Sequence, residues 1–371
     1  MGQYKPKLNT PIGRWAAVGP YYAMFPLEFA FEVIGKYSKP GQLVVDPFAG
    51  RASSIYAAAT QGRYGLGIEI NPLGWIYAQA KLNPSPLHLV ENRFRAIVKS
   101  SESMRYKEQA KNLPEFFQWC YSKNALAFLL TARNNLNWEG NQVDRTLMSF
   151  ILVYLHGKLD QTLSNQMRQT KAMGHIYSVR WWKERKLKPP QIDVKKFLLP
   201  RIRWRYEKGI PQTTLSTVKM ADSTQVLKKE AETFTKKIGR RCSLFFTSPP
   251  YYGLTNYYKD QWLRLWLLGG EEQPLWISEK HKGRFESQVE YRELLENVFG
   301  NAAQIMDDTG TVYVRTDTRD FTKTTTIDVL KKYFPDWKEK IVDAPVTRKT
   351  QTTILGNKSN KPGEVDIILT R

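Results

Sequence analysis

The sequence is poor in the residues that build metal sites and disulfides. It holds two cysteines, Cys120 and Cys242, and a pair so far apart makes neither a disulfide framework nor a four-ligand zinc site. A reducing compartment is expected. Four histidines, His88, His156, His175 and His281, lack helical or finger spacing, so no metal is expected. No apolar run approaches the roughly 20 residues that span a bilayer, and Met1–Thr10 is polar, without the apolar core of a signal peptide. A cytoplasmic location without a membrane partner follows. Repeats and low-complexity tracts are also lacking. Acidic residues are outnumbered, 35 Asp plus Glu against 56 Lys plus Arg, which gives a net charge of +21. Such an excess points to a polyanionic partner. What is present is ordinary for a packed protein: 371 residues, 42% hydrophobic and 25% charged, enough for one large domain or two smaller ones.

The apolar runs fall into an α/β pattern that is interrupted once. Leu43-Val44-Val45-Asp46 reads as a strand, Pro47–Arg51 as a small-residue turn, Ala52–Gln61 as a helix and Tyr64–Ile70 as a second strand; this is a doubly wound unit. Thr217–Met220 and Arg241–Thr247 read as further strands. Tyr291–Met306 and Phe321–Phe334 read as helices around a strand at Gly310–Arg315. Lys340–Val346 and Glu364–Thr370 read as a closing antiparallel pair, joined by a polar loop with Lys349, Lys358 and Lys361. The split domain is therefore expected to comprise 1–84 and 216–371, around an insert at 85–215. The first half of that insert, Glu91–Leu163, carries apolar residues at helical spacing.

Its second half is the most basic part of the chain. Between Arg168 and Lys208 stand 13 Lys plus Arg against Glu184, Asp193 and Glu207, interleaved with Tyr177, Trp181, Trp182, Trp204 and Tyr206. Cations neutralise phosphates, and flat rings stack on exposed bases. Arg180, Lys183, Arg185, Lys186, Lys188, Arg201, Arg203 and Arg205 are the candidate DNA contacts. The competing reading is a solvated surface whose rings pack inward.

Chemistry is expected at the strand ends, since ligands of open α/β sheets bind outside the carboxyl ends of their strands. Asp46-Pro47-Phe48-Ala49-Gly50 sets an acid at one such end, followed by small residues and a helix N-terminus that favours a negative group. Glu69 ends the next strand, the usual place for a carboxylate that accepts from ribose hydroxyls. The turn lacks the three-glycine dinucleotide pattern, which disfavours nicotinamide or flavin. If neither residue met a ligand, Asp46 would cap the helix and Glu69 would be exposed.

Thr247-Ser248-Pro249-Pro250-Tyr251 is the most distinctive segment. Two prolines remove two backbone donors and stiffen the turn, leaving carbonyls and the Ser248 hydroxyl as acceptors beside the Tyr251 ring. An exocyclic amine donates two hydrogens, so a hydroxyl and a proline carbonyl could hold both and aim the nitrogen lone pair.

Together, the segments at 46–50 and 247–251 resemble the amino-group DNA methyltransferases that use S-adenosylmethionine, and the serine at 248 most resembles their cytosine-N4 subgroup. The resemblance covers roughly 12–84 and 216–371. It implies a seven-stranded class I methyltransferase sheet whose last two strands are the terminal hairpin. It further implies that Asp46, Phe48, Ala49 and Gly50 cradle the methionine portion of the cofactor, Glu69 and Ile70 its ribose region, and Asp222 its adenine. Tyr21–Pro26, with Phe25, would close over the methionine end, and Ser248, Pro249, Pro250 and Tyr251 would hold the target amine. The chain departs from the family in three ways. Arg51-Ala52 replaces the usual Ser-Gly, the cofactor motif precedes the catalytic one, and the insert lies between the ribose and adenine elements.

The reaction implied is direct displacement at the sulfonium methyl by the amine of a base flipped out of double-stranded DNA. Carbon-5 methylation would need an activated cysteine after a proline, and neither cysteine has that neighbour. A cognate restriction or defence protein is a partner that such an enzyme can have. Adenine-N6 methylation, amino methylation of an RNA base and an inactive nucleic-acid-binding relative remain open alternatives.

Overall fold

A computed structural model describes residues 7–20, 25–253, 257–274, 287–344 and 363–371. Its strands are β1 (Leu43–Asp46), β2 (Tyr64–Glu69), β3 (Ser216–Met220), β4 (Cys242–Thr247), β5 (Met306–Asp317), β6 (Lys338–Ala344) and β7 (Glu364–Thr370). They form one seven-stranded sheet in the order β3-β2-β1-β4-β5-β7-β6. β1 to β5 run parallel, while β7 is antiparallel to both β5 and β6. The expected doubly wound sheet is present. β5 begins four residues earlier than the apolar run indicated, and the loop bearing Lys349, Lys358 and Lys361 lies outside the described residues.

Short aliphatic strands such as Leu43-Val44-Val45 are buried throughout because helices cover both faces. Leu43, Val45, Phe245 and Val312 join Leu227, Val298 and Leu330 of the helices Ser223–Ile238, Gln288–Ile305 and Asp320–Tyr333. Val44, Leu244, Phe246 and Tyr313 point the other way, toward the helices Leu27–Tyr37 and Ser53–Thr60. Alternation along each strand thus assigns each side chain its layer.

The insert contains seven helices: Leu87–Ser101, Met104–Asn112, Glu115–Cys120, Lys123–Asn135, Gln142–Tyr154, His175–Glu184 and Val194–Tyr206. Its core extends over helices that flank the sheet. Phe94, Phe128, Leu147 and Trp182 share one apolar cluster with Tyr56 and Ile76 of the helices after β1 and β2, and with Trp262 and Trp266 beyond β4. The Tyr206 hydroxyl donates to the Ser85 carbonyl at 2.6 Å, so the two ends of the insert are tied together.

Candidate active site

β1 lies between β2 and β4, where the strand order reverses. Loops leave such a switch point in opposite directions and open a crevice at the carboxyl ends of the strands. Asp46 and Thr247 stand at the ends of the two central neighbours.

Asp46 is buried, and its carboxylate organises the loop from within the protein. One oxygen accepts from Thr247 Oγ1 at 2.7 Å and from Phe48 N at 3.1 Å, and the other accepts from Ser54 Oγ. Burial raises its carboxyl to about 6, and the three donors oppose that rise. Asp46 does not cap the helix that follows, since the capping position belongs to Ala52. Its carboxylate is therefore spent within the protein, on the shape of the loop at Phe48, Ala49 and Gly50.

Glu69 reaches the same loop from β2. Its Oε2 accepts from Gly50 N at 2.6 Å and its Oε1 from Asn71 N at 2.7 Å. The residue is buried, not exposed. Burial raises its carboxyl to about 7, and the nearby Asp46 carboxylate adds to the effect. Two close approaches shape this corner. Gly50 has φ +54, a left-handed conformation that favours glycine. A Cβ on Gly74 would lie 2.7 Å from the Gly50 carbonyl oxygen and 2.9 Å from Glu69 Cγ. Ala49 N donates to the Ile68 carbonyl at 3.0 Å, and Ile70 stays exposed at the rim. Asp222, at the end of β3, accepts from Thr224 N and Oγ1 as the N-cap of its helix. Phe25 is stacked on Phe246, with centroids 4.6 Å apart, in the sheet core; Tyr21–Met24 lie outside the described residues.

The departure at Arg51-Ala52 has a structural form. Ala52 adopts φ +58, ψ +47, the left-handed region where glycine would be unstrained. Arg51 donates from Nη1 to the Gly19 carbonyl at 2.9 Å, and buried Lys81 donates to the Arg51 carbonyl. Two basic side chains thus brace the loop from behind, and burial together with neighbouring Arg51 pushes the Lys81 amine well below the usual lysine range.

Beyond β4, Pro249 is buried while Ser248, Pro250 and Tyr251 are half-buried. The Ser248 hydroxyl is hydrogen-bonded to the Tyr251 phenol, whose pKa is raised by burial and by neighbouring Glu364. The phenol donates to Glu364 Oε1 at 3.3 Å. Sequence reasoning missed this wall. Arg315 bonds Asp366 through both Nε (2.6 Å) and Nη2 (2.7 Å) and reaches Glu364 at 3.3 Å. Arg319 holds buried Asp317 at 2.7 Å and donates to the Tyr252 carbonyl.

The basic insert divides. Arg180, Lys183, Arg185, Lys186 and Lys188 are exposed on the helix His175–Glu184 and the turn after it. Lys183 pairs with Glu115 at 2.6 Å, whereas Lys186 and Lys188 have no ion-pair partner among the described residues. Arg203 is exposed and bonded to Glu91 at 2.7 Å, and Arg201 lies over the Phe197 ring at 3.7 Å. Arg205 is a correction: it is buried, donates to the Arg14 carbonyl and cannot meet DNA from that position. Trp182 and Tyr206 are likewise core residues, leaving Tyr177 and Trp204 as the exposed large rings of the segment.

Both cysteines are buried, and burial pushes both thiols up, away from the thiolate a nucleophile needs. No group of His, Cys, Asp and Glu among the described residues is placed to hold a metal ion. No described helix is long and apolar enough to cross a membrane.

The family model described as a DNA methylase, of the N6/N4 type, matches residues 3–73. The match includes Asp46–Gly50 and Glu69 but stops before Thr247. Among solved structures, the chain is similar to an rRNA methyltransferase, AviRa, from Streptomyces viridochromogenes: 10% identity, 97% of this chain and 91% of that one covered, TM-score 0.37. It is also similar to SMU.776 complexed with SAH: 9% identity, 94% of this chain and 50% of that one covered, TM-score 0.35. No curated protein matches it in sequence.

Proposed function

We propose that the protein is an S-adenosylmethionine-dependent methyltransferase that modifies the exocyclic N4 amine of a cytosine turned out of double-stranded DNA. The observation that carries this reading is the 2.7 Å bond from Thr247 to Asp46. It joins two chemistry-bearing segments, 201 residues apart, at the switch point of the sheet. The DNA methylase match over 3–73 supports the first segment independently.

The residues present fit the cofactor. Gly50 and Gly74 keep the loop free of side chains where it closes on Glu69. The Glu69 carboxylate accepts backbone bonds from Gly50, Asn71 and Ile70, and a carboxylate has about four lone-pair sites, which leaves capacity for a ribose hydroxyl. Ile70 offers an apolar edge beside them, and Asp222 stands at the end of the neighbouring strand. When bound, S-adenosylmethionine supplies a methyl group on a positively charged sulfur.

The chain's own contribution is positioning. Ser248 Oγ and the Pro249 carbonyl accept the two amine hydrogens, so the nitrogen lone pair faces outward. The Tyr251 ring, held through its hydroxyl by Glu364, bounds the base. Serine at 248 is what favours cytosine over adenine, since the matched family covers both amines. The exposed cations Arg180, Lys183, Arg185, Lys186, Lys188 and Arg203 grip phosphates, and Arg201 lies beside them.

Nucleoside mass spectrometry of DNA and RNA incubated with protein and S-adenosylmethionine tests the reading. N4-methylcytosine in DNA is expected. N6-methyladenine in DNA would move the target to the other amine, and methylation confined to RNA, or none, would overturn the proposal.

A further inference from the structure

The insert holds a cavity of about 430 Å³ that lies apart from the strand-end crevice. Its floor is Thr162 and Met167, both buried. It is further lined by Tyr154, Gln161, Gln169, whose amide donates to the Val153 carbonyl at 3.5 Å, and two cations, Lys158 and Arg201. No carboxylate lines it.

This shape is built into the fold. The loop after the helix Gln142–Tyr154 doubles back on itself, with Gly157 bridging Gln166 and Met167 N donating to the Gly157 carbonyl at 2.8 Å. A Cβ on Gly157 would lie 2.8 Å from Thr162 Cγ2, so a glycine is needed for this fold-back. Gln166 Oε1 accepts from Leu159 N at 2.8 Å and closes the turn. Tyr154 is held from beneath by a hydrogen bond to buried Arg205, which gives that arginine a supporting role. Arg201 is held by its own Nη1 bond to the Phe197 carbonyl at 2.7 Å and by the Phe197 ring below it.

The same loop is fastened to the segment that follows the acceptor motif. Arg264 donates to the Gln169 carbonyl at 2.6 Å, Gln261 to the Thr170 carbonyl at 2.7 Å, and Trp262 to the Met173 carbonyl at 3.1 Å. Gln261 is ten positions beyond Tyr251 in the sequence, so the segment that holds the cavity loop follows closely on the amine-holding motif along the chain.

Two cations without an acid among the lining residues call for an anionic ligand. Two glutamines beside the Met167 side chain suit one with both hydrogen-bonding edges and an apolar face, and the volume falls in the range of small-ligand sites. We propose that this cavity takes a second nucleotide of the bound DNA strand, outside the target base. Lys158 and Arg201 meet its phosphate, and Gln161 and Gln169 read its base edge; a glutamine amide pairs bidentately with adenine. The cavity thereby sets sequence preference. This rests on the DNA reading above, but it is tested through a different contact.

The experiment is photocrosslinking of the full chain to DNA carrying 5-iododeoxyuridine at successive positions, with crosslinked peptides mapped by mass spectrometry. A crosslink within 154–169 is expected from one position. In parallel, the sites methylated by Gln161→Leu and Gln169→Leu are sequenced. Loss of preference at one flanking base, by about 5- to 150-fold as for one bidentate contact, is expected, with unchanged cofactor affinity. DNA that binds and is methylated while crosslinking only elsewhere, with both variants keeping wild-type preference, would overturn the cavity assignment alone. A crosslink here without cofactor binding or methylation would overturn the enzyme reading and leave this site standing. Crosslinking only to RNA, or full competition by free deoxynucleotide at equal concentration, would replace the DNA strand as the ligand.

Discussion

Thr247→Val removes one hydroxyl and keeps the branched shape of a wholly buried residue. The bond removed is the 2.7 Å donation to Asp46 Oδ1, and a hydrogen bond to a charged group contributes about 1.5–3 kcal/mol. Phe48 N and Ser54 Oγ still hold the carboxylate, so the figure should not exceed that range. Urea unfolding at pH 8 is expected to show this loss with an unchanged slope, roughly a 10- to 150-fold shift in the folding equilibrium. Asp46 makes the effect depend on pH. Its folded pKa, about 6, is raised by burial above that of an unfolded aspartate. Its own contribution to stability is therefore fully present below the unfolded value and lost as pH rises through 6. The Thr247 donor supports the charged form, so removing it raises the folded pKa further and costs most above 6. The penalty at pH 8 should exceed that at pH 5. Equal penalties at both values, or a loss below about 0.5 kcal/mol at pH 8 against the range above, would refute the assigned role of the bond.

Three further outcomes are expected. Ser248→Ala should lower turnover by at least about tenfold, the equivalent of one 1.4 kcal/mol contact, with cofactor affinity by calorimetry unchanged; a parallel loss of cofactor binding would place Ser248 on the wrong ligand. Cofactor affinity should rise with pH toward about 7, because the buried Glu69 carboxyl accepts from ribose most strongly when charged, and Glu69→Gln should bind weakly with no such rise; a flat wild-type profile between pH 5.5 and 8 would remove Glu69 from the ribose site. Charge reversal at Lys183, Arg185 and Lys186 should weaken DNA binding and reduce the dependence of its logarithm on that of salt by roughly 0.9 for each phosphate no longer neutralised. Binding unaltered in both respects would leave those residues as a solvated surface.

The sheet was legible because its strands are short aliphatic runs closed by Asp46, Glu69 and Thr247, a pattern that local residues fix by themselves. The charged wall was not. Arg315 meets Asp366 only because β7 returns antiparallel beside β5 in a register that pairs those two positions, and no local periodicity carries a partner 51 residues away. The basic segment misled for a different reason. Composition gives a segment its charge but does not tell which way a helix faces. Val194, Leu198, Ile202 and Arg205 follow one another at spacings of four, four and three, and all four are buried. Period 3.6 therefore placed Arg205 on the inner stripe, as it placed Val179 and Trp182 on that of the preceding helix.

That inner stripe also bears on how the insert acts. Its aromatic core is shared with Tyr56 and Ile76 of the helices that follow β1 and β2, the helices from which Lys81 and the Ser54 hydroxyl reach the loop at 46–52. Its other side is fastened to Gln261, Trp262 and Arg264. The helices that bear the outer cations are therefore packed, through one apolar core, against the helices that brace the loop at 46–52. On the proposed reading, gripping DNA and aligning the amine with the methyl donor are not separate tasks given to separate domains; the helices that bear the cations share their core with the helices that brace the cofactor loop.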